Sequence, residues 1–197
     1  ARDQGVIHKV ILMVELGDLR EGIMPELLPS LVKEAALLPN LEIAGLGTNM
    51  ACYAGLIPTR QNMQQLVDLR DLCRQVTGLP LDLLSGGNSS CLPLLASGEM
   101  PSQINHFRIG EAILLGRNVL DRTPFSGTRQ DTFRIVAEVI ELVRKPSLPA
   151  GLRGQDAFGY QPEFIDRGIR QVAICNLGRQ DVSVQGLVPE DDRLLIL

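Results

Sequence analysis

Residues 8–14 read His8-Lys9-Val10-Ile11-Leu12-Met13-Val14 (HKVILMV), and the fold turns on this stretch. Its apolar residues run without a polar break, so neither face is reserved for water. A short run of this kind fits a strand buried on both faces of a parallel sheet. A polar, glycine-containing segment follows, Glu15 to Gly22, and the spacing then predicts a helix over Met24–Leu38. Pro25 and Pro29 lie in its opening turns, where proline is tolerated. Leu28, Leu31, Val32, Ala35 and Leu38 form its apolar stripe.

The same unit recurs downstream. Leu41–Leu46 (LEIAGL) reads as a second strand, followed by Gly47-Thr48-Asn49, and Gln61–Val76 as an amphipathic helix. Leu81–Leu84 reads as a third strand, with Ser85-Gly86-Gly87-Asn88-Ser89-Ser90 and a short helix near Cys91–Ala96 behind it. Ile104–Ile109 (INHFRI) is a predicted fourth strand, with a short helix over Glu111–Arg117. Consecutive strand–loop–helix units demand a parallel sheet with right-handed crossovers. A doubly wound sheet and a (β/α)8 barrel both satisfy that demand. In either, the loops after the strands gather on one face, where ligands bind.

The rhythm stops near Arg117. Asp131–Val143 is ambiguous between helix and strand, and its β-branched residues tilt it toward strand. Residues 145–168 are rich in Pro and Gly, and Arg170–Asn176 and Arg193–Leu197 are predicted strands. The composition shift near residue 125 predicts a barrel-type unit over 1–125 and a β-rich unit over 126–197.

Composition narrows the function. The 197 residues carry a net charge of −4, with both signs mixed along the chain. No basic block of the nucleic-acid-binding kind appears. No apolar stretch reaches the roughly 18 residues of a membrane helix, and no signal peptide is evident. Cys52, Cys73, Cys91 and Cys175 form no C-x-x-C pair, so no metal site is expected. Buried, reduced thiols of a cytoplasmic protein are the expectation.

Chemistry concentrates in the post-strand loops. In residues 85–90 the glycines allow close backbone approach, and the following helix start offers unpaired N–H groups suited to a phosphate. Serine or asparagine capping behind a glycine turn explains the same residues without a ligand. Arg108-Ile109-Gly110-Glu111 places a second helix start beside the first. Arg108 needs a partner among its apolar neighbours, and an ion pair with Glu111 or Glu15 would serve. Arg20 falls in the same ring of loops, as a site residue or a solvated charge. His8 and His106 are expected in structural or surface roles, with His106 away from the ring.

HKVILMVELGDLREGI, LEIAGLGTNMACYAG, LLSGGNSS, INHFRIGEAILLG and EVIELVRKPSLPAG…DAFG together resemble the pyridoxal-phosphate amino-acid racemases of the alanine racemase fold, nearest the ornithine racemase branch. The resemblance runs from about Val6 to the end of the chain. It implies an α/β fold: the C-terminal half of a pyridoxal-phosphate (PLP)-binding (β/α)8 barrel followed by part of a β-rich domain. It implies pyridoxal 5'-phosphate as cofactor, an amino acid as substrate, and a homodimer in the intact protein. By the same resemblance Asn88, Ser89, Gly110 and Glu111 would cradle the phosphate. Arg108 would face the pyridine nitrogen, and Thr48 would contact the ring. Arg20 would meet the substrate carboxylate and the cofactor's phenolic oxygen.

The sequence departs from the family pattern in three places. No lysine occupies the motif that holds the cofactor covalently; Lys9, Lys33 and Lys145 lie elsewhere, so the chain is expected to lack the first half of the barrel. Met13 stands where alanine racemases carry a lysine that is often carbamylated. Arg179 stands at the slot of the family's catalytic tyrosine, leaving the second base and the substrate side chain open. The rival readings are a sugar-phosphate barrel enzyme without PLP, a D-amino-acid aldolase, and a non-catalytic PLP carrier.

Overall fold

β1 (His8–Met13), β2 (Leu41–Gly47) and β3 (Leu83–Ser85) pair in parallel in the order β1-β2-β3 in the computed structural model, which describes residues 4–196. The ladder between β1 and β2 skips a residue: Val10 faces Ile43, but Ile11 faces Gly45, leaving Ala44 unpaired as a bulge. At Gly45 the strands come so close that a Cβ would lie 1.7 Å from the Leu83 carbonyl oxygen. Only glycine fits there.

The predicted fourth strand is corrected to a single parallel bridge, Ser85 to His106. Its geometry still follows β3: His106 N–H donates to Leu84 O at 3.2 Å, and Arg108 N–H donates to Gly87 O at 2.8 Å. The ladder is cut short by a side chain. Asn105 Oδ1 accepts the Leu84 N–H at 2.8 Å, and Asn105 Nδ2 donates to Asp82 O at 2.8 Å, taking places that backbone rungs would fill. The segment nonetheless extends the order to four neighbours in chain sequence. A doubly wound sheet would send the fourth strand back beside the first; the sequential order is that of a barrel wall.

Helices cover one face of this sheet. α1 (Leu28–Ala36) starts four residues later than predicted, with Pro29 in its first turn and Pro25 left outside in a turn. α2 (Arg60–Thr77) is bounded by local chemistry. Thr59 and Asn62 form a reciprocal capping box, and Gly78 ends the helix in the left-handed conformation at φ 72°. Its Met63, Leu66, Val67 and Cys73 are buried with Leu28, Val32, Ile43, Leu46 and Leu84 in one apolar cluster. Two short helices follow, α3 (Leu92–Ala96) and α4 (Glu111–Leu115).

The chain divides after Phe133 into two units. Residues beyond 125 stay with the first unit because Thr128 Oγ1 and Gln130 Nε2 donate to the Gly116 carbonyl, at 2.8 and 2.9 Å. In the second unit β4 (Val139–Pro146) pairs antiparallel with β5 (Ile169–Cys175). Strand structure therefore begins at Val139, not Asp131. No strand forms over 193–196, where Arg193 folds back onto Asp191 in a turn, with Nε–Oδ1 at 2.9 Å. Leu197 lies outside the described residues. The thiol expectation is corrected too: Cys73 and Cys91 are buried, but Cys52 and Cys175 are exposed. Among the described residues no helix is long and apolar enough to cross a membrane.

Candidate active site

The post-strand loops of the first unit meet through Arg108. Its Nη1 donates to Ser85 Oγ, and its Nη2 donates to Thr48 O at 2.9 Å and Asn49 Oδ1 at 3.3 Å. Every one of these acceptors is neutral. Neither expected ion pair forms: Glu111 binds Arg122, and Glu15 turns inward to accept the N–H groups of Gly17 at 2.5 Å and Leu19 at 3.0 Å. Partial burial lowers the pKa of Arg108, against the opposing influence of Glu21 and Cys91. It remains a cation nonetheless, since arginine does not titrate in proteins. A cation fixed by neutral groups keeps its charge available to a ligand.

His106 also belongs to this group, contrary to the expectation from sequence. Its Nδ1 lies 2.9 Å from the same Ser85 Oγ that Arg108 reaches. One buried hydroxyl thus ties the arginine to an imidazole two residues earlier on the same segment. Thr48 is fully buried, and its hydroxyl donates to Val14 O at 3.0 Å. Its main contribution is the carbonyl that holds Arg108.

Ser85–Ser90 supplies a turn and two caps. Gly87 has φ 118°, a conformation that favours glycine, and a Cβ there would press on Cys91 Sγ at 3.0 Å. Asn88 Oδ1 accepts the Ser90 N–H at 2.8 Å, while its Nδ2 donates to Asn49 Oδ1 at 3.0 Å and Met50 O at 2.9 Å. Ser89 Oγ accepts the N–H groups of Gly110 at 3.4 Å and Ala112 at 3.2 Å. The capping explanation is therefore correct for part of the motif.

It does not account for all of it. The N–H groups of Ser89 and Glu111 meet no acceptor among the described residues. Gly110 has φ −132°, outside the left-handed region, and a Cβ there would meet nothing within 4 Å. No neighbouring atom excludes a side chain at 110. A space kept open beside two bare N–H groups and the Ser89 hydroxyl fits a phosphate.

Arg20 lies in the loop after β1. Its Nη1 contacts Cys52 Sγ, and its Nε pairs with Glu21 Oε2 at 3.0 Å. Cys52 and the neighbouring Asp18 were not singled out from sequence, because their contacts span loops more than thirty residues apart. Arg179 belongs to the second unit, where its guanidinium stacks over Phe158 at 4.3 Å and Tyr160 at 5.9 Å. Among the described residues no cluster of His, Cys, Asp and Glu could hold a metal ion.

Parallel strands in sequential order, with a glycine turn, bare helix-start N–H groups and a neutrally held arginine on the loops behind them, fit one wall of a barrel that binds a phosphorylated cofactor. The chain belongs to the alanine racemase family: residues 1–118 match the family described as alanine racemase, N-terminal domain. It is 45% identical over 189 residues to a lysine racemase of Thermotoga maritima, covering 96% of this chain and 52% of that protein. It is 43% identical over 198 residues to an ornithine racemase of Acetoanaerobium sticklandii, covering 100% of this chain and 56% of that protein. The chain spans about half the length of these curated relatives. A solved alanine racemase from Corynebacterium glutamicum superposes with a TM-score of 0.48 at 17% identity, over 74% of this chain and 43% of that one. The fold is thus of the alanine racemase type, a barrel wall followed by a β-rich unit, and the cofactor of this family is pyridoxal 5'-phosphate. These matches do not favour a sugar-phosphate enzyme without PLP.

Proposed function

We propose that this chain forms the phosphate, pyridine and substrate-carboxylate side of a PLP-dependent amino-acid racemase, a cytoplasmic homodimer when intact. In this reading the first unit contributes the second half of the barrel and the second unit part of the β-domain. The observation that carries it is Arg108, a cation held only by neutral acceptors in the ring of post-strand loops. Similarity to a lysine racemase and an ornithine racemase supports a diamino acid as substrate.

When bound, PLP supplies the electron sink that acidifies the Cα–H of an amino acid. The chain's own residues perform narrower tasks. The N–H groups of Ser89 and Glu111 and the Ser89 hydroxyl hold the phosphate, with Gly110 leaving it room. Asn88 holds this loop to Asn49 and Met50. Arg108 faces the pyridine nitrogen, where a fixed cation disfavours a second positive charge. Arg20 binds the substrate carboxylate through charge-assisted hydrogen bonds.

The test has two readouts. Titration with pyridoxal phosphate, followed by phosphorus NMR, reports whether the cradle takes the phosphate. Incubation of the intact protein with L-ornithine, L-lysine or L-alanine, followed by chiral chromatography, reports D-enantiomer. Saturable phosphate binding together with D-ornithine or D-lysine is the expected result. No binding and no D-product would overturn the reading.

A further inference from the structure

The loop after β1 carries a buried carboxylate that forms no ion pair among the described residues. Asp18 is 2% exposed. Its Oδ2 accepts the N–H groups of Cys52 at 3.2 Å and Tyr53 at 3.0 Å, and its Oδ1 accepts that of Ala54 at 3.2 Å. Three consecutive peptide groups of the loop after β2 thus converge on one side chain of the loop after β1. Arg20, two residues on, reaches the same loop through Cys52 Sγ. Cys52 is held at both ends, its peptide N–H by Asp18 and its sulfur by Arg20.

The backbone around these contacts is strained. Leu19, between Asp18 and Arg20, has φ 56°, and Ala51, just before Cys52, has φ 55°. Left-handed conformations are unfavourable for residues with a Cβ. They persist where surrounding contacts over-determine them, and such sites cluster where geometry matters for function.

We propose that Asp18 is a positioning residue for Arg20. By fixing the turn at 52–54 it fixes the sulfur against which the guanidinium rests, so Arg20 is aimed before a substrate carboxylate arrives. This rests on the racemase reading, which gives Arg20 its task. Asp18 itself touches no substrate. Arg20 is half exposed, with 48% of its side chain accessible, and an arginine so placed otherwise samples many rotamers. Holding it beforehand removes that ordering from the binding step.

The test compares Asp18→Asn and Cys52→Ala with the unaltered protein. Asp18→Asn turns one acceptor into a donor that faces peptide N–H groups. Cys52→Ala leaves those peptide bonds intact and removes only the sulfur, so it remains informative if Asp18→Asn folds poorly. The first readout is hydrogen exchange by NMR of the Arg20 Nη1 protons, the group that contacts Cys52 Sγ, which needs neither cofactor nor turnover. Exchange about fivefold faster in both variants is expected, the size of a lost local contact. The second readout is kinetic: KM for the amino acid rises while kcat holds. Unchanged Arg20 exchange in Cys52→Ala, or in a folded Asp18→Asn, overturns the proposal. Absence of turnover in the unaltered protein would instead count against the racemase reading, while the exchange measurement still decides the role of Asp18.

Discussion

Gly87 and Gly110 stand in neighbouring loops under different constraints. At Gly87 the backbone demands glycine, with φ 118° and Cys91 Sγ in the way of a Cβ. At Gly110 no neighbouring atom demands it. Gly110→Val is therefore expected to weaken PLP affinity by at least about tenfold, more than its change in melting temperature accounts for, since a branched side chain would fill the space for the phosphate. Thermal unfolding and a cofactor titration on the same preparation check it. Equal affinity would leave Ser89 as a cap alone. The turn at Gly87 and the caps Asn88 and Ser89 were legible in sequence because turn-forming residues after an apolar run have a recognisable composition. Ser85, His106, Asp18 and Cys52 were not. Each acquires its role from a partner 21 to 36 residues distant, which no local pattern encodes.

Helices were easier to read than strands. α2 shows why, since its buried residues recur at helical spacing and its ends carry their own stop signals. Thr59 Oγ1 accepts the Asn62 N–H at 3.4 Å, and Asn62 Oδ1 accepts the Thr59 N–H at 2.9 Å. Thr59→Ala is expected to cost about 1 kcal/mol through loss of the cap. Asn62→Ala, which keeps the threonine, should cost less. Urea unfolding midpoints of the two variants separate these cases. The fourth strand was over-read because the Asn105 side chain occupies the rungs that its backbone would need. The start of α1 was placed too early because two prolines share one turn-rich stretch, and only Pro29 lies inside the helix. In the second unit the β-branched residues of 131–143 were correctly a sign of strand, but only from Val139 onward.

For the molecule as a whole, acid stability follows from the Asp18 carboxylate. Burial works to raise its pKa, and the N–H bonds from Tyr53, Cys52 and Ala54 more than offset this, leaving it below the ordinary value. An unfolded aspartate titrates near 3.9, so the stabilisation is complete above about pH 4 and is lost as pH falls through the lower, folded pKa. Asp18→Asn is expected to lower stability by about 2 kcal/mol at pH 7, as for hydrogen bonds to a charged group. The gap between variant and parent should close in strongly acidic solution. Denaturant titrations at pH 7 and at successively lower pH check the sign; a gap that widened with acid would contradict it. At this scale the parallel sheet was foreseeable from the repeating strand–helix rhythm, whereas its sequential order and the exact point of division were not. Thr128 and Gln130 hold the chain back to Gly116 through side chains whose reach composition does not show.

Ala44, the residue without a partner in the first ladder, acts on the phase of the strand. Ile43 and Leu46 are three positions apart, and both enter the apolar core. Uninterrupted alternation would turn one of them outward. The extra residue shifts the inside–outside frame by one, much as an inserted base shifts a reading frame. Continued from the pairing of Val10 with Ile43, an unshifted ladder would set Leu46 opposite Met13. The shift sets Gly47 there instead. Gly47 also pairs with Ser85, and its missing Cβ would have met Ser85 Cβ at 3.0 Å and Met13 Sδ at 3.2 Å. The room beside the hydroxyl that Arg108 and His106 share is thus created by a frameshift three residues upstream.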